Sequence, residues 1–312
     1  MQFGFSSYAL GATLYMPIVH HRLPEYLSGE LDFPSTSVVL CLEDALAEGD
    51  VAQGISTLKH LLRNYQINSD THVFVRPRSL EMAMQLGEFY GIEKVEGFVA
   101  PKMVPETAAA WMDLAEATNI RIMPTLESAE FFDPGRITAL REALDSYDKD
   151  RIAAIRLGGN DLLAAMALRR QPGITSWEGP LAWILSMASS MLISAGYPVA
   201  APVFDIIEDI ETLKREAAQD VAAGFISKTA IHPTQVPHIL EAFRVSNAEV
   251  DQARAILAEG AGAVFRFGGV MCEPSTHKAW AQRVLARYEI FGMQNAERGS
   301  KLLFQHPHCT DS

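Results

Sequence analysis

Short, nearly uninterrupted apolar runs recur along the chain, and between them lie longer stretches in which apolar residues return every three or four positions. Eight runs stand out: ATLYMPI (12–18), SVVLCLE (37–43), HVFVR (72–76), VEGFVAPK (95–102), IRIMPTLE (120–127), IAAIRLG (152–158), YPVAAPVFD (197–205) and AAGFISK (222–228). Their lengths, their β-branched and aromatic content and their lack of polar alternation predict parallel strands buried on both faces. Helical spacing is clearest at Ser79 to Gly91, Val104 to Thr118, Pro134 to Tyr147, Leu181 to Ala195 and Ile206 to Ala223. Strands alternating with helices in this way predict an α/β fold, a TIM (β/α)8 barrel, with a doubly wound open sheet as the fallback.

The pattern changes after Ile239. Glu241 to Glu259 reads as helix, Gly260 to Met271 as glycine-rich and extended, and Ser275 to Phe291 as helix again. The expected division is therefore a catalytic barrel over residues 1–240 and a C-terminal helical extension and tail over 241–312. The tail, GSKLLFQHPHCTDS (299–312), is polar and weakly patterned, which suits either disorder or docking on a neighbouring subunit.

Charge narrows the class of function. The chain has 26 Lys and Arg against 38 Asp and Glu, a formal charge of -12 spread in short mixed runs, so nucleic acid is not an expected partner. Cys41, Cys272 and Cys309 form no CxxC pair, which suggests neither a disulfide framework nor a zinc knuckle and makes a cytoplasmic setting the default. The N-terminal residues carry no signal-peptide pattern. Gly179 to Phe204 holds no charge, but its serines, glycine and prolines favour a buried helix, Leu181 to Ile193, followed by a buried strand over a membrane span.

In a TIM barrel the chemistry gathers at the C-terminal ends of the strands. The polar residues there are Glu43 and Asp44, Arg76 and Arg78, Lys102, Glu127, Asn160 and Asp161, Asp205, and Lys228 and His232. With no HExxH, a metal would be oxygen-ligated, and two carboxylates leaving open positions suit Mg²⁺; Glu127 and Asp161 are the best pair, with an N-cap and a rim residue as the bland alternative. Arg76 could clamp a carboxylate or enolate oxygen, or pair with Glu43 on the neighbouring strand, or do both. Lys102 reads as an ion-pair partner rather than a Schiff-base amine. Asp205 and Lys228 read equally as a structural pair or as substrate contacts, and His232 as a loop cap or a base. Arg156, inside its strand, reads as an ion-pair partner within the barrel. Gly158 and Gly159 either let backbone amides approach an anion or serve a tight turn. Neither GxxxxGK nor GxGxxG is present, so no nucleotide site is indicated.

Read in order, LYMP (14–17), CLEDAL (41–46), VRPRS (75–79), APKM (100–103), PTLES (124–128), LGGNDL (157–162), PVFD (202–205) and GFISKTAIHPTQV (224–236) resemble the HpcH/HpaI aldolase and citrate lyase β-subunit superfamily, which includes malyl-coenzyme A lyases. The resemblance runs from about Thr13 to Gly292. It implies a TIM barrel, Mg²⁺ on Glu127 and Asp161, Arg76 against the substrate oxyanion, and Glu43 and Asp44 close by. It also implies a homo-oligomer, commonly a trimer or hexamer, whose extension reaches a neighbouring site. Cys41 and Arg78 depart from the citrate-lyase pattern of aspartate and asparagine, and Arg78 either meets an extra anionic group on the substrate or faces solvent. The ending GGVMCEPSTHKAWAQRVLARYEIFG (268–292) looks more like a less-characterised branch of carbon–carbon bond lyases.

The expected activity is Mg-dependent aldol or Claisen-type cleavage or assembly of a β-hydroxy or oxo acid, free or as a coenzyme A thioester. The residues expected to carry it are Arg76, Glu43, Asp44, Asp205 and His232 for catalysis, Arg76, Arg78, Lys102, Gly158 and Gly159 for substrate, and Glu127 and Asp161 for metal. Asp205, His232 or Glu273 of a neighbouring extension are the candidates for proton transfer. The alternatives are an acyl-CoA thioester hydrolase using the same site, and a metabolite-binding barrel without catalysis.

Overall fold

The computed structural model describes residues 5–65 and 71–294. Eight parallel strands close into a barrel in sequence order: β1 Ala12–Pro17, β2 Ser37–Cys41, β3 His72–Arg76, β4 Gly97–Ala100, β5 Arg121–Leu126, β6 Ile155–Leu157, β7 Val199–Ala201 and β8 Ser227–Ala230, with β8 returning to β1. Helices cover the outside: α1 Leu23–Ser28, α2 Val51–Asn64, α3 Leu80–Gly87, α4 Pro105–Thr118, α5 Pro134–Leu144, α6 Gly159–Ala165, α7 Leu181–Ile193, α8 Ile210–Ala222 and α9 Val236–Phe243. Local chemistry explains several of their starts. Ser79 caps α3 by accepting from the Met82 N–H, Asp133 caps α5 and Asp209 caps α8, while Pro105 and Pro134 sit at first turns where no N–H is needed.

The expected barrel is therefore the fold. The uncharged stretch forms α7 followed by β7, and among the described residues no helix is long and apolar enough to cross a membrane. The eighth strand begins later than the apolar run predicts. Ala222 still belongs to α8, Gly224 turns the chain at φ +90°, and Phe225 is buried edge-on against Trp177 before the strand starts at Ser227.

Period-2 alternation sorts the strand residues into two buried populations. Val38 and Leu40, Val73 and Val75, Ile122 and Leu126, Ile155 and Leu157, and Val199 and Ala201 pack in the core between sheet and helices. The residues in the opposite phase, Val39 and Cys41, Phe74 and Arg76, Met123 and Thr125, Arg156, and Ala200, are equally buried and face the barrel axis. On β8 the same alternation sends Thr229 inward and Lys228 outward.

The chain divides into two compact units, residues 1–242 and 243–312. In the second, α10 Asn247–Leu257, the hairpin strands β9 Phe265–Phe267 and β10 Val270–Cys272, and α11 Pro274–Phe291 surround a small core of Val245, Val250, Ala253, Ile256, Cys272, Ala281 and Val284. The glycine-rich stretch is thus a hairpin, turned at Gly268 and Gly269 with φ of +55° and +86°. The tail GSKLLFQHPHCTDS, with Cys309, lies outside the described residues.

Candidate active site

The C-terminal ends of the strands frame a cavity of about 280 Å³ whose lining includes Tyr15, Asp44, Arg76, Thr125, Glu127, Arg156 and Asp161. Arg76 is its hub. Its Nη2 approaches Glu43 Oε2 at 2.6 Å as an ion pair and donates to both oxygens of Glu127 at 3.2 and 3.3 Å, while its Nη1 lies 3.4 Å from Asp44. The register explains the convergence: Arg76 is the Cα partner of Cys41, so the residues just past β2 end beside its guanidinium. Arg76 Nε has no hydrogen-bond partner among the described residues.

Burial and crowding set the charges. Burial pushes the Glu43 carboxyl up to about 7; Arg76 opposes the rise and Asp44 adds to it. Glu127 is also raised by burial, offset in part by Arg76 and increased by repulsion from Asp161. Burial disfavours the charged form of Arg76, but Tyr15, Glu127 and Glu43 more than compensate and raise it.

Glu127 is held by backbone as well as by charge. The Lys102 N–H donates to its Oε1 at 2.8 Å from a left-handed turn, with φ +46° at Lys102. Its other side is closed by the loop after β6, where a Cβ on Gly158 would sit 2.7 Å from Glu127 Oε2 and closer still to its Cβ. Glycine is needed there because the loop backbone packs directly on the carboxylate. Asp161 follows in the first turn of α6.

Glu127 and Asp161 fit Mg²⁺. One buried and one half-buried carboxylate repel each other across a cavity that a small acid can enter, and Mg²⁺ takes one or two carboxylates and completes its shell with water or substrate oxygens. Among the described residues no group of three or more His, Cys, Asp or Glu converges as a protein-only cage.

Several expected residues serve other ends. The Lys102 side chain is exposed; its N–H donates to Glu127 and its charge helps keep that carboxylate ionised. Arg78 pins the loop after β2, donating to the Leu42 and Leu46 carbonyls and pairing with Glu48, so its charge is spent on the scaffold. Asp205 pairs with Arg170 at 2.9 Å. His232 is exposed and caps a short 3-10 turn through Thr234, the loop-cap contact that is one of its two readings. Gly159 packs on Pro202, where a Cβ would meet the ring at 2.9 Å.

Lys228 does not pair with Asp205. It is fully buried outside the sheet, 2.8 Å from Glu216 and 2.7 Å from Asp220 of α8, and donates to the Pro202 carbonyl. Arg170 joins the same network through Glu216 at 2.7 Å.

The sequence reading missed Tyr15, Thr125, Arg156 and Thr229 as lining residues. Arg156 makes no ion pair with a carboxylate among the described residues, contrary to expectation; it donates to Thr229 Oγ1 and lies 5.0 Å from the centroid of the Tyr15 ring. Tyr15 and Arg156 each lie on a strand ahead of its C-terminal end. Only the inward phase of alternation could have pointed to them.

A family model described as a C–C bond lyase of the TIM-barrel fold matches residues 4–293. The L-malyl-CoA/beta-methylmalyl-CoA lyase of Rhodobacter capsulatus is 30% identical over 150 residues, a match spanning 41% of this chain and about half (47%) of that relative. Citrate lyase subunit beta of Escherichia coli is 25% identical over 288 residues, covering 86% of this chain and 90% of that protein. A (3S)-malyl-CoA thioesterase of Cereibacter sphaeroides is 24% identical over 251 residues, covering 79% and 81%. Among solved structures, the CitE protein of Mycobacterium tuberculosis in complex with magnesium, acetoacetate and coenzyme A has a TM-score of 0.65 at 20% identity, covering 89% of this chain and 98% of that one. The citrate lyase beta subunit of the same organism, complexed with oxaloacetate and magnesium, has a TM-score of 0.59 at 21% identity, covering 77% and 100%. These two structural likenesses speak for the fold.

Proposed function

The chain belongs to the C–C bond lyase family of the TIM-barrel fold, and from that premise we propose that it is a magnesium-dependent lyase. It cleaves or forms a carbon–carbon bond in a β-hydroxy or oxo acid, free or as its coenzyme A thioester. The observation that carries this reading is the pairing of Arg76 with the buried Glu127 at 3.2 Å while Asp161 raises that carboxylate from across the same cavity.

In the cleavage direction a base takes the proton of the β-hydroxyl and the carbon–carbon bond breaks. Its electron pair passes to the acyl fragment, leaving an enolate and an oxo acid. Glu127 and Asp161 would hold Mg²⁺, which when bound supplies a Lewis acid that polarises the substrate oxygens. Arg76 would set its positive charge against the enolate oxygen, while Glu43 and Asp44 fix the fork. Asp44 is the proton acceptor in this reading, because it lines the cavity with its side chain 65% exposed, whereas Asp205 and His232 are engaged elsewhere. The proposal includes a homo-oligomer, a trimer or hexamer, in the cytoplasm.

The match to a thioesterase keeps one second reading in view, in which the same groups polarise a thioester for attack by water. Mass-spectrometric analysis of products from malyl-CoA, citryl-CoA and their free acids, with Mg²⁺ and with EDTA, separates the two. Magnesium-dependent release of an oxo acid and a shortened acyl-CoA is expected. An intact acid plus free coenzyme A would make the protein a hydrolase, and no turnover across the panel would return it to a binding barrel.

A further inference from the structure

Arg156 stands apart from the charge network around Arg76. It is 4% exposed, at the centre of β6, with no carboxylate partner among the described residues. One nitrogen donates to Thr229 Oγ1, which in turn donates to the Ala201 carbonyl; the other terminal nitrogen, Nη1, has no hydrogen-bond partner among the described residues. Beside it, Thr125 is the Cα register partner of Arg156 on β5, also faces the axis, and has a buried hydroxyl with no hydrogen-bond partner among the described residues. Both residues line the cavity that holds Arg76, Glu127 and Asp161.

A buried guanidinium that makes no ion pair among the described residues is costly, because the lost hydration is only partly repaid by neighbouring groups. Burial lowers the Arg156 pKa and the nearby Arg76 charge lowers it further, while Tyr15 and the Glu127 charge oppose part of the fall. Tyr15 offsets part of the cost: its ring lies 5.0 Å from the Arg156 guanidinium and 5.9 Å from that of Arg76, within cation–π reach of both. Arg76 is met by three carboxylates, whereas Arg156 keeps one terminal donor, Nη1, with no hydrogen-bond partner among the described residues. The missing partner is an anion that arrives through the cavity.

We propose that Arg156 Nη1 and Thr125 Oγ1 form a second anion subsite that binds the distal carboxylate of a small dicarboxylic oxo or hydroxy acid, selecting such acids over monocarboxylic ones. Thr125 lies on β5 two residues before Glu127, a step of roughly 6.6 Å along the strand and about 5 Å along the barrel axis once the strand tilt is allowed for, so the subsite is a layer deeper than the proposed metal acids. A guanidinium edge beside a hydroxyl matches a carboxylate's paired oxygens, and the cavity, about 280 Å³, suits a molecule of four or five carbons. This deepens the lyase reading and rests on it.

The test is calorimetric titration of oxaloacetate and pyruvate, which share a 2-oxo acid head and differ by one carboxylate, into the magnesium-loaded protein, its Arg156→Met variant and its Thr125→Val variant. Wild type should prefer oxaloacetate by about 10- to 100-fold, the worth of one or two charge-assisted hydrogen bonds. The preference should vanish in Arg156→Met and shrink severalfold in Thr125→Val, while pyruvate affinity changes less than about threefold, since pyruvate lacks the distal group. Melting without ligand separates a binding role from a structural one. Arg156→Met should melt at or above the wild-type temperature; a marked loss of stability there would assign the arginine to the scaffold and overturn the proposal. Equal binding of the two acids by wild type, or an unchanged preference in Thr125→Val, would overturn it and leave the lyase reading standing. Failure of wild type to bind either acid would sink the lyase reading and this proposal together.

Discussion

Replacing Glu127 by glutamine should separate metal binding from folding. The carboxylate meets Arg76 at 3.2 and 3.3 Å, and removing one partner of a buried ion pair ordinarily costs about 3–5 kcal/mol. Here Arg76 keeps Glu43 at 2.6 Å and Asp44 at 3.4 Å, so it is not stranded. The amide oxygen can still accept from the Lys102 N–H, and the change relieves a charge that burial and Asp161 disfavour. The opposing effects leave a net change within about 1 kcal/mol, so in EDTA the variant should melt within about 4 °C of wild type. Magnesium affinity responds differently. Loss of a group that merely orients a ligand costs about 10- to 100-fold, so loss of one of two carboxylate ligands should cost more than about 100-fold, or ~2.7 kcal/mol. Titration of Mg²⁺ into both proteins, alone and with oxaloacetate, pyruvate or glyoxylate, reads this directly. Equal affinities in the two proteins would refute the metal assignment, and a variant melting many degrees lower in EDTA would refute the energetic argument.

Glu43, raised to about 7, is ionised only above neutrality, so if its charge fixes Arg76, kcat/KM should rise with pH through about 7 and Glu43→Gln should lose that limb. The same shift acts on stability: the folded-state value exceeds the ordinary 4.5, so the contribution of this group is complete below about 4.5 and lost as pH rises through about 7, a trend that urea melts of Glu43→Gln should no longer show. Lys228→Met leaves Glu216 and Asp220 facing each other without their shared cation, and urea unfolding should show a loss of about 3–5 kcal/mol. Gly158→Ala forces a methyl against Glu127, with a loss of about 1–3 kcal/mol in denaturant melts and weaker Mg²⁺ binding in calorimetry; wild-type values in both would refute the close packing.

Local pattern alone was enough for the barrel. Runs such as SVVLC and HVFVR are apolar in both phases because parallel strands are covered on both faces, and they recur with helical stretches between them. Strand ends also announced Glu43, Asp44, Arg76, Glu127 and Asp161, because a charged residue at the end of an apolar strand has few places to go but the mouth of the barrel. Pairing across sequence distance was not legible. Asp205 lies in the PVFD segment and Lys228 in GFISKT, yet one pairs with Arg170 and the other with Glu216 and Asp220, because the outward phase of β8 turns Lys228 towards α8.

Arg156 marks the same limit most clearly. One arginine in an apolar strand reads as a charge needing a partner, and the sequence names no partner. Closure of the sheet put Tyr15, Thr125 and Thr229 around it and, among the described residues, brought no carboxylate into pairing reach. The sequence determines which residues are apolar, which are charged and which face of a strand each occupies, since those follow from local chemistry and a two-residue period. Which charges meet, and which buried donor is left open to the cavity, depends on distances between strands far apart in the chain, and only the closed barrel sets those.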